Sequence, residues 1–125
     1  MRYLFLLYEG TRATDAMADA DRSSLQRYGA FTAEVRGRGI FQAGEALEPV
    51  NTATTVRIRD GRTITTDGPF AETKEFLGGF YLLECHDLDE AIELAQRIPA
   101  AEHGSVEIRP IWELPADYGA RQPAD

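Results

Sequence analysis

Residues 78–83 read Gly78-Gly79-Phe80-Tyr81-Leu82-Leu83, and the four residues after the glycine pair are apolar without polar alternation. A short unbroken apolar run is the mark of a strand covered on both faces, so this stretch predicts a central strand. A second run of the same kind, Tyr3-Leu4-Phe5-Leu6-Leu7-Tyr8, is closed by Glu9-Gly10. It too is predicted to be central.

Downstream of Leu83, Asp87 with Glu90 three positions later makes a capping box. Leu88, Ala91, Ile92 and Ala95 then supply the buried stripe of a helix that Pro99 ends. Val106, Ile108, Pro110 and Trp112 alternate with Glu107, Arg109, Ile111 and Glu113, which predicts a last strand whose proline suits only an edge. Upstream, residues 67–77 read as a loop that follows a hairpin. The hairpin begins with a strand from Thr54 to Ile58 and turns at Asp60-Gly61. A three-residue loop of Arg59, Asp60 and Gly61 would set Val56 opposite Ile64, whereas a two-residue loop would pair Ile64 with Arg57. Residues 40–46 form another strand, separated from the hairpin by Glu48-Pro49. Before them, Leu25, Tyr28, Phe31 and Val35 make one helical stripe that Gly37 and Gly39 bring to an end, the helix beginning between Thr14 and Asp21.

The order strand, helix, strand, hairpin, strand, helix, strand defines an α+β domain, a ferredoxin-like split βαβ with an inserted β-hairpin. It spans residues 1–114 and leaves 115–125 as a flexible tail. Two helices cover one face of such a sheet. The other face is apolar as well, and two arrangements would cover it: sheet-to-sheet pairing of two chains as a homodimer, or the insertion folding back within one chain.

The chain has 125 residues, 43% hydrophobic and 27% charged, which is the composition of one globular domain. Its formal charge of -8 argues against direct binding to nucleic acid, which needs clustered Lys and Arg. With Cys85 as the single cysteine there is neither an intramolecular disulfide nor a multi-cysteine metal site, and a reducing, cytoplasmic location fits. The apolar run at the amino terminus is too short for a signal peptide, and no stretch approaches the roughly 18 apolar residues of a membrane span.

The segment Asp67-Gly68-Pro69-Phe70-Ala71-Glu72-Thr73-Lys74-Glu75, followed by Gly78-Gly79-Phe80-Tyr81, resembles the YCII-related superfamily and within it the DGPF-domain branch. Met1-Arg2-Tyr3-Leu4, Gly44-Glu45-Ala46-Leu47, Thr54-Thr55-Val56-Arg57, Asp87-Leu88-Asp89-Glu90-Ala91 and Val106-Glu107-Ile108-Arg109-Pro110 extend the resemblance over most of the chain. It implies a dimeric α/β barrel. For the shorter relatives it implies an acid–base pair, a histidine on the first helix and an aspartate before the last strand. Those positions fall here on Tyr28 and Ile98, so that mechanism does not carry over. Genes of the DGPF branch lie beside genes for extracytoplasmic-function sigma factors, which implies a regulatory role and a sigma factor as partner.

Asp67-Gly68-Pro69 can form a rigid turn that fixes the Asp67 carboxylate, as a general base requires; the competing role for that carboxylate is to bond the turn's own amides while Phe70 plugs the barrel. Glu72 and Lys74 flank the turn, and Lys74 would neutralise an anionic substrate; a solvated loop is the plainer role for this cluster. His103, in a loop entering the last strand, is the histidine better placed for proton transfer. Tyr28 would orient a substrate, or simply pack in the core. Cys85 reads as an inert thiol and His86 as exposed. No metal-ligand spacing and no phosphate-cradling glycine loop is present, so no cofactor is expected. Two functional classes follow. One is a small-molecule-binding protein with metal-free acid–base activity, with Asp67 and His103 catalytic and Tyr28, Phe70, Glu72 and Lys74 binding substrate. The other is an interaction module for a regulatory partner such as a sigma factor.

Overall fold

The computed structural model describes residues 1–10 and 22–118. Strand β1 (Arg2–Glu9) is followed by helix α1 (Arg22–Gly37), strand β2 (Phe41–Ala46), a single 3-10 turn (Val50–Thr52) and the hairpin strands β3 (Thr54–Arg59) and β4 (Arg62–Asp67). Then come β5 (Phe76–Glu84), helix α2 (Leu88–Ala95), the short helix α3 (Ala100–His103), β6 (Ser105–Pro110) and a last 3-10 turn (Ala116–Tyr118). The expected start of α1 between Thr14 and Asp21 and the tail beyond residue 118 lie outside the described residues.

The main sheet is antiparallel in the order β2-β5-β1-β6, and β3-β4 is a two-stranded sheet of its own. Both apolar runs are thus central strands, and β6, which ends in Pro110, is an edge. In β1 the side chains alternate: Tyr3, Phe5 and Leu7 are buried, whereas Leu4 and Leu6 are only partly so. The buried set packs with Tyr81 and Leu83 of β5, Phe31 and Val35 of α1, and Ala91, Leu94 and Ala95 of α2. Both helices therefore lie on one face, and the core is a single layer between them and the sheet.

Leu4 sits opposite Leu82 and Leu6 opposite Phe80 on the other face, flanked by Glu107 and Arg109 of β6. The four apolar side chains there are half-buried. At the base of the inserted ribbon, Tyr8 and Leu77 share a cavity wall with Thr54 and Phe70.

Several local expectations are corrected. The strand expected to start after the glycine pair begins at Phe76, because Gly78 is taken up in a bulge between Leu7 and Tyr8 and Gly79 stays in the ladder. The hairpin loop has two residues, with Asp60 at φ 52 and Gly61 at φ 74, so Ile64 faces Arg57. Helix α2 buries Ala91, Leu94 and Ala95 and leaves Leu88 and Ile92 largely exposed, because eight residues present barely two turns to the sheet. Its cap is as expected, with Asp87 accepting from the Glu90 amide at 2.9 Å. Helix α2 ends at Ala95, ahead of Pro99, which instead caps the start of α3 and so places His103 on a helix and not in a loop. The last strand stops at Pro110, and Trp112 is 82% exposed. No helix among the described residues is long and apolar enough to cross a membrane.

Gly104 lets β6 lie against β1: a Cβ built on it would stand 2.0 Å from the Tyr8 carbonyl oxygen and 3.0 Å from the Glu9 Cα. The obstructing atoms are backbone, so the strand itself would have to move. Gly104→Ala is expected to destabilise the fold by ~1–3 kcal/mol in urea denaturation; an unchanged midpoint would contradict this packing.

Candidate functional site: a cavity under the first helix

Strand β2 approaches β5 closely at Gly79, where a Cβ would stand 2.8 Å from the Glu45 carbonyl oxygen. The helix-facing positions here are therefore small: Gly79 lies opposite Ala46, and Gly44 is next along β2. A cavity of about 320 Å³ opens over this bare floor. Its roof is one stripe of α1, Leu25, Tyr28, Thr32 and Arg36, and its end walls are Glu9 and Phe41. Glu45 and Phe80 also border it, but strand alternation directs their side chains to the opposite face. Leu25, expected in the core, is 53% exposed and belongs to this cavity instead.

The polar groups are few and ordered along the roof. Tyr28 donates its hydroxyl hydrogen to Glu9 Oε1 at 3.4 Å, a long contact. Burial, and next the Glu9 charge, hold the Tyr28 phenol well above its ordinary value of 10, against a backbone hydrogen bond from Ala100. Tyr28 accordingly stays neutral and serves as a hydrogen-bond donor at neutral pH. One turn on, Thr32 Oγ1 donates to the Tyr28 carbonyl at 2.9 Å and lies 2.8 Å from the Tyr81 hydroxyl. Burial raises the Tyr81 phenol as well, against the hydrogen bond with Thr32. Tyr81 is held edge-on to Phe31, with ring centroids 5.1 Å apart. At the far end the Arg36 guanidinium carbon stands 4.2 Å from the Phe41 ring centroid.

A second, wider cavity of about 700 Å³ lies between the hairpin base and the residues around Phe70. The sequence-derived candidates divide among these places. Tyr28 lines the first cavity and Phe70 the second, where it is 76% exposed in the single chain. Asp67, Glu72, Lys74 and His103 are exposed and line neither. Asp67 ends β4, and its carboxylate has no hydrogen bond with the turn amides or any other described residue. The turn is pinned by its backbone instead, the Gly68 N–H donating to Ala53 O at 2.7 Å and Thr55 Oγ1 donating to Gly68 O at 2.8 Å. Gly68 has φ 102, a left-handed conformation that favours glycine. Ile98 is fully buried in the core. Cys85 is also buried, and burial pushes its thiol up to about 11, which leaves it inert. The described residues contain no group of three or more His, Cys, Asp or Glu suited to a metal ion.

Glu9, Thr32, Arg36, Gly44 and Gly79 escaped the sequence reading. The available signal was the polar continuation of the helix stripe, 28 to 32 to 36, each four residues on.

Fold and cavity together define a small antiparallel α+β protein with one helix-roofed pocket. The YCII-related domain profile matches residues 1–115, and the chain belongs to that family. It is 38% identical over 114 residues to an uncharacterized protein of Rhizobium meliloti (strain 1021), which covers 89% of this chain and 92% of that one. Among solved structures it is similar to the 5-chloro-2-hydroxyhydroquinone dehydrochlorinase of Burkholderia phenoliruptrix AC1100 in complex with 2,5-dihydroxybenzoquinone. The TM-score is 0.50 at 14% identity, over 94% of this chain and 98% of the other, a likeness of fold.

A raised phenol pKa in the fold means that the protonated form is favoured there. The stability this gives is complete below about 10 and is lost as the pH rises toward the folded-state value. Urea midpoints measured from pH 8 to 12 are expected to fall more steeply for the wild type than for Tyr28→Phe. Parallel curves would contradict the placement of Tyr28.

Proposed function

We propose that this protein binds a small ring-shaped organic molecule in the cavity beneath α1 and performs acid–base chemistry on it. The observation that carries the reading is the pairing of Tyr28 with Glu9 at one end of a pocket whose walls include Leu7, Leu25, Phe41 and Tyr81. A protonated phenol beside a carboxylate supplies two complementary groups. Glu9 accepts a proton from an acidic C–H or O–H of the ligand, while Tyr28 donates a hydrogen bond to the oxygen on which charge develops. Leu25, Phe41 and Tyr81 offer flat or apolar surface to a ring. The fold neighbour, a dehydrochlorinase in complex with 2,5-dihydroxybenzoquinone, supports a ring compound of this size. Within this reading Tyr28 keeps its role as a ligand contact, whereas Asp67 and His103 stand outside the pocket.

Calorimetric titration with 2,5-dihydroxybenzoquinone tests it. Tyr28→Phe is expected to weaken binding about tenfold, the equivalent of one charge-assisted hydrogen bond. Ala46→Trp, which fills the floor, is expected to abolish it. Undiminished binding in Ala46→Trp would remove the ligand from this cavity.

We also infer that two copies pack through the apolar sheet face formed by Leu4, Leu6, Phe80 and Leu82, giving the dimeric barrel. The support is an apolar patch on two central strands that the helices leave uncovered. Light scattering is expected to give a dimer mass at micromolar concentration and a monomer mass for Leu82→Asp. A monomeric wild type would rule out the pairing.

A further inference from the structure

We propose that Arg36 makes the cavity selective for a ring compound carrying one oxyanion, a carboxylate or an acidic enolate, at the end remote from Tyr28. This rests on the reading of the cavity as a ligand site and adds the charge of what it takes.

Among the described residues, Arg36 is the only basic one lining either cavity. Elsewhere in this acidic chain five arginines have carboxylate partners, Arg2 with Glu113, Arg27 with Glu102, Arg97 and Arg38 with Glu34, Arg109 with Glu107, whereas Arg57 and Arg59 of the exposed hairpin bond backbone carbonyls and line no cavity. Arg36 has no carboxylate within ion-pair range among the described residues. Its guanidinium instead stands over the Phe41 ring. Stacking of that kind fixes the plane of the group while consuming none of its N–H donors, so the fork that grips a carboxylate in two places stays available.

The spacing sets the shape of the ligand. Tyr28 and Arg36 are eight residues apart on one stripe, about 12 Å along the helix axis. Both side chains lean toward the helix N-terminus, so their polar heads stay about that far apart, room for one substituted six-membered ring with an oxygen at each end. At the opposite end Glu9 repels a second negative charge, so a hydroxyl or carbonyl oxygen belongs beside Tyr28 and the oxyanion beside Arg36. Glu9 and Arg36 thus impose one orientation on a monoanion. A neutral ring would lack it.

Matched probes test this: 2,5-dihydroxybenzoate and its methyl ester differ chiefly in the carboxylate charge. Calorimetry on the full chain is expected to show the acid binding about tenfold tighter than the ester. Arg36→Gln should erase that preference while leaving the ester within about twofold of its wild-type affinity, and Arg36→Lys should retain part of the preference. Raised salt should weaken the acid alone. The proposal is overturned if the wild type binds both probes equally, or if Arg36→Gln keeps the preference. In either case ester binding that Ala46→Trp blocks would leave the cavity reading standing. Failure of both probes to bind would remove both.

Discussion

The close approach of β2 to β5 at Gly79 is the constraint on which the site depends. With a backbone carbonyl 2.8 Å from where a Cβ would be, that position must stay bare, and its cross-strand neighbour Ala46 adds only a methyl group. The layer beneath α1 refills at Tyr81 and Leu83, which are buried with Phe31 and Val35. Over the small residues the same helix leaves an open space bordered by Leu25, Tyr28, Thr32 and Arg36, of which Tyr28 also packs against the core and Arg36 against Phe41. The cavity is thus a product of strand packing. Empty volume of this kind costs stability in an ordinary core, and the polar stripe lining it fits a site better than a packing fault.

The rotation of α1 decides which stripe meets the floor, and a charged clamp bears on it. Arg97, just beyond α2, donates to both oxygens of Glu34 at 2.6 and 2.8 Å, and Arg38 reaches the same carboxylate. These hydrogen bonds, Arg97 first, hold the Glu34 carboxyl below its ordinary value. The pair is partly exposed, so its contribution to stability is small. Its consequence is geometric. With Glu34 fastened toward α2, Val35 and Phe31 turn into the core, and Thr32 and Arg36 turn toward the cavity.

Much of the fold was legible because local chemistry determines it. Unbroken apolar runs marked β1 and β5 as central, Pro110 marked an edge, and Asp87 with Glu90 marked the start of α2. Expectations that rested on finer local patterns went astray in part: Leu88 and Ile92 of the stripe expected on α2 are exposed while Ala91 and Ala95 are buried, and a glycine pair read as punctuation before β5 lies inside the strand. The site was harder still. Asp67, Glu72 and Lys74 are neighbours in sequence, and that proximity drew attention to the loop after β4. The cavity is assembled from Glu9, Tyr28, Arg36, Gly44 and Gly79, residues from four elements that only the sheet order β2-β5-β1 brings together. Two of them are glycines, whose contribution is an absence of side chain that no motif announces.

The claim that the space beneath α1 is where this protein meets its ligand is tested most directly by amide chemical-shift mapping during titration with 2,5-dihydroxybenzoquinone. The account predicts that the largest shifts fall on Thr32, Gly44, Gly79 and Tyr81, from three separate elements around one floor. Shifts confined to residues 67–75 and the hairpin base, with those four amides unmoved, would contradict it.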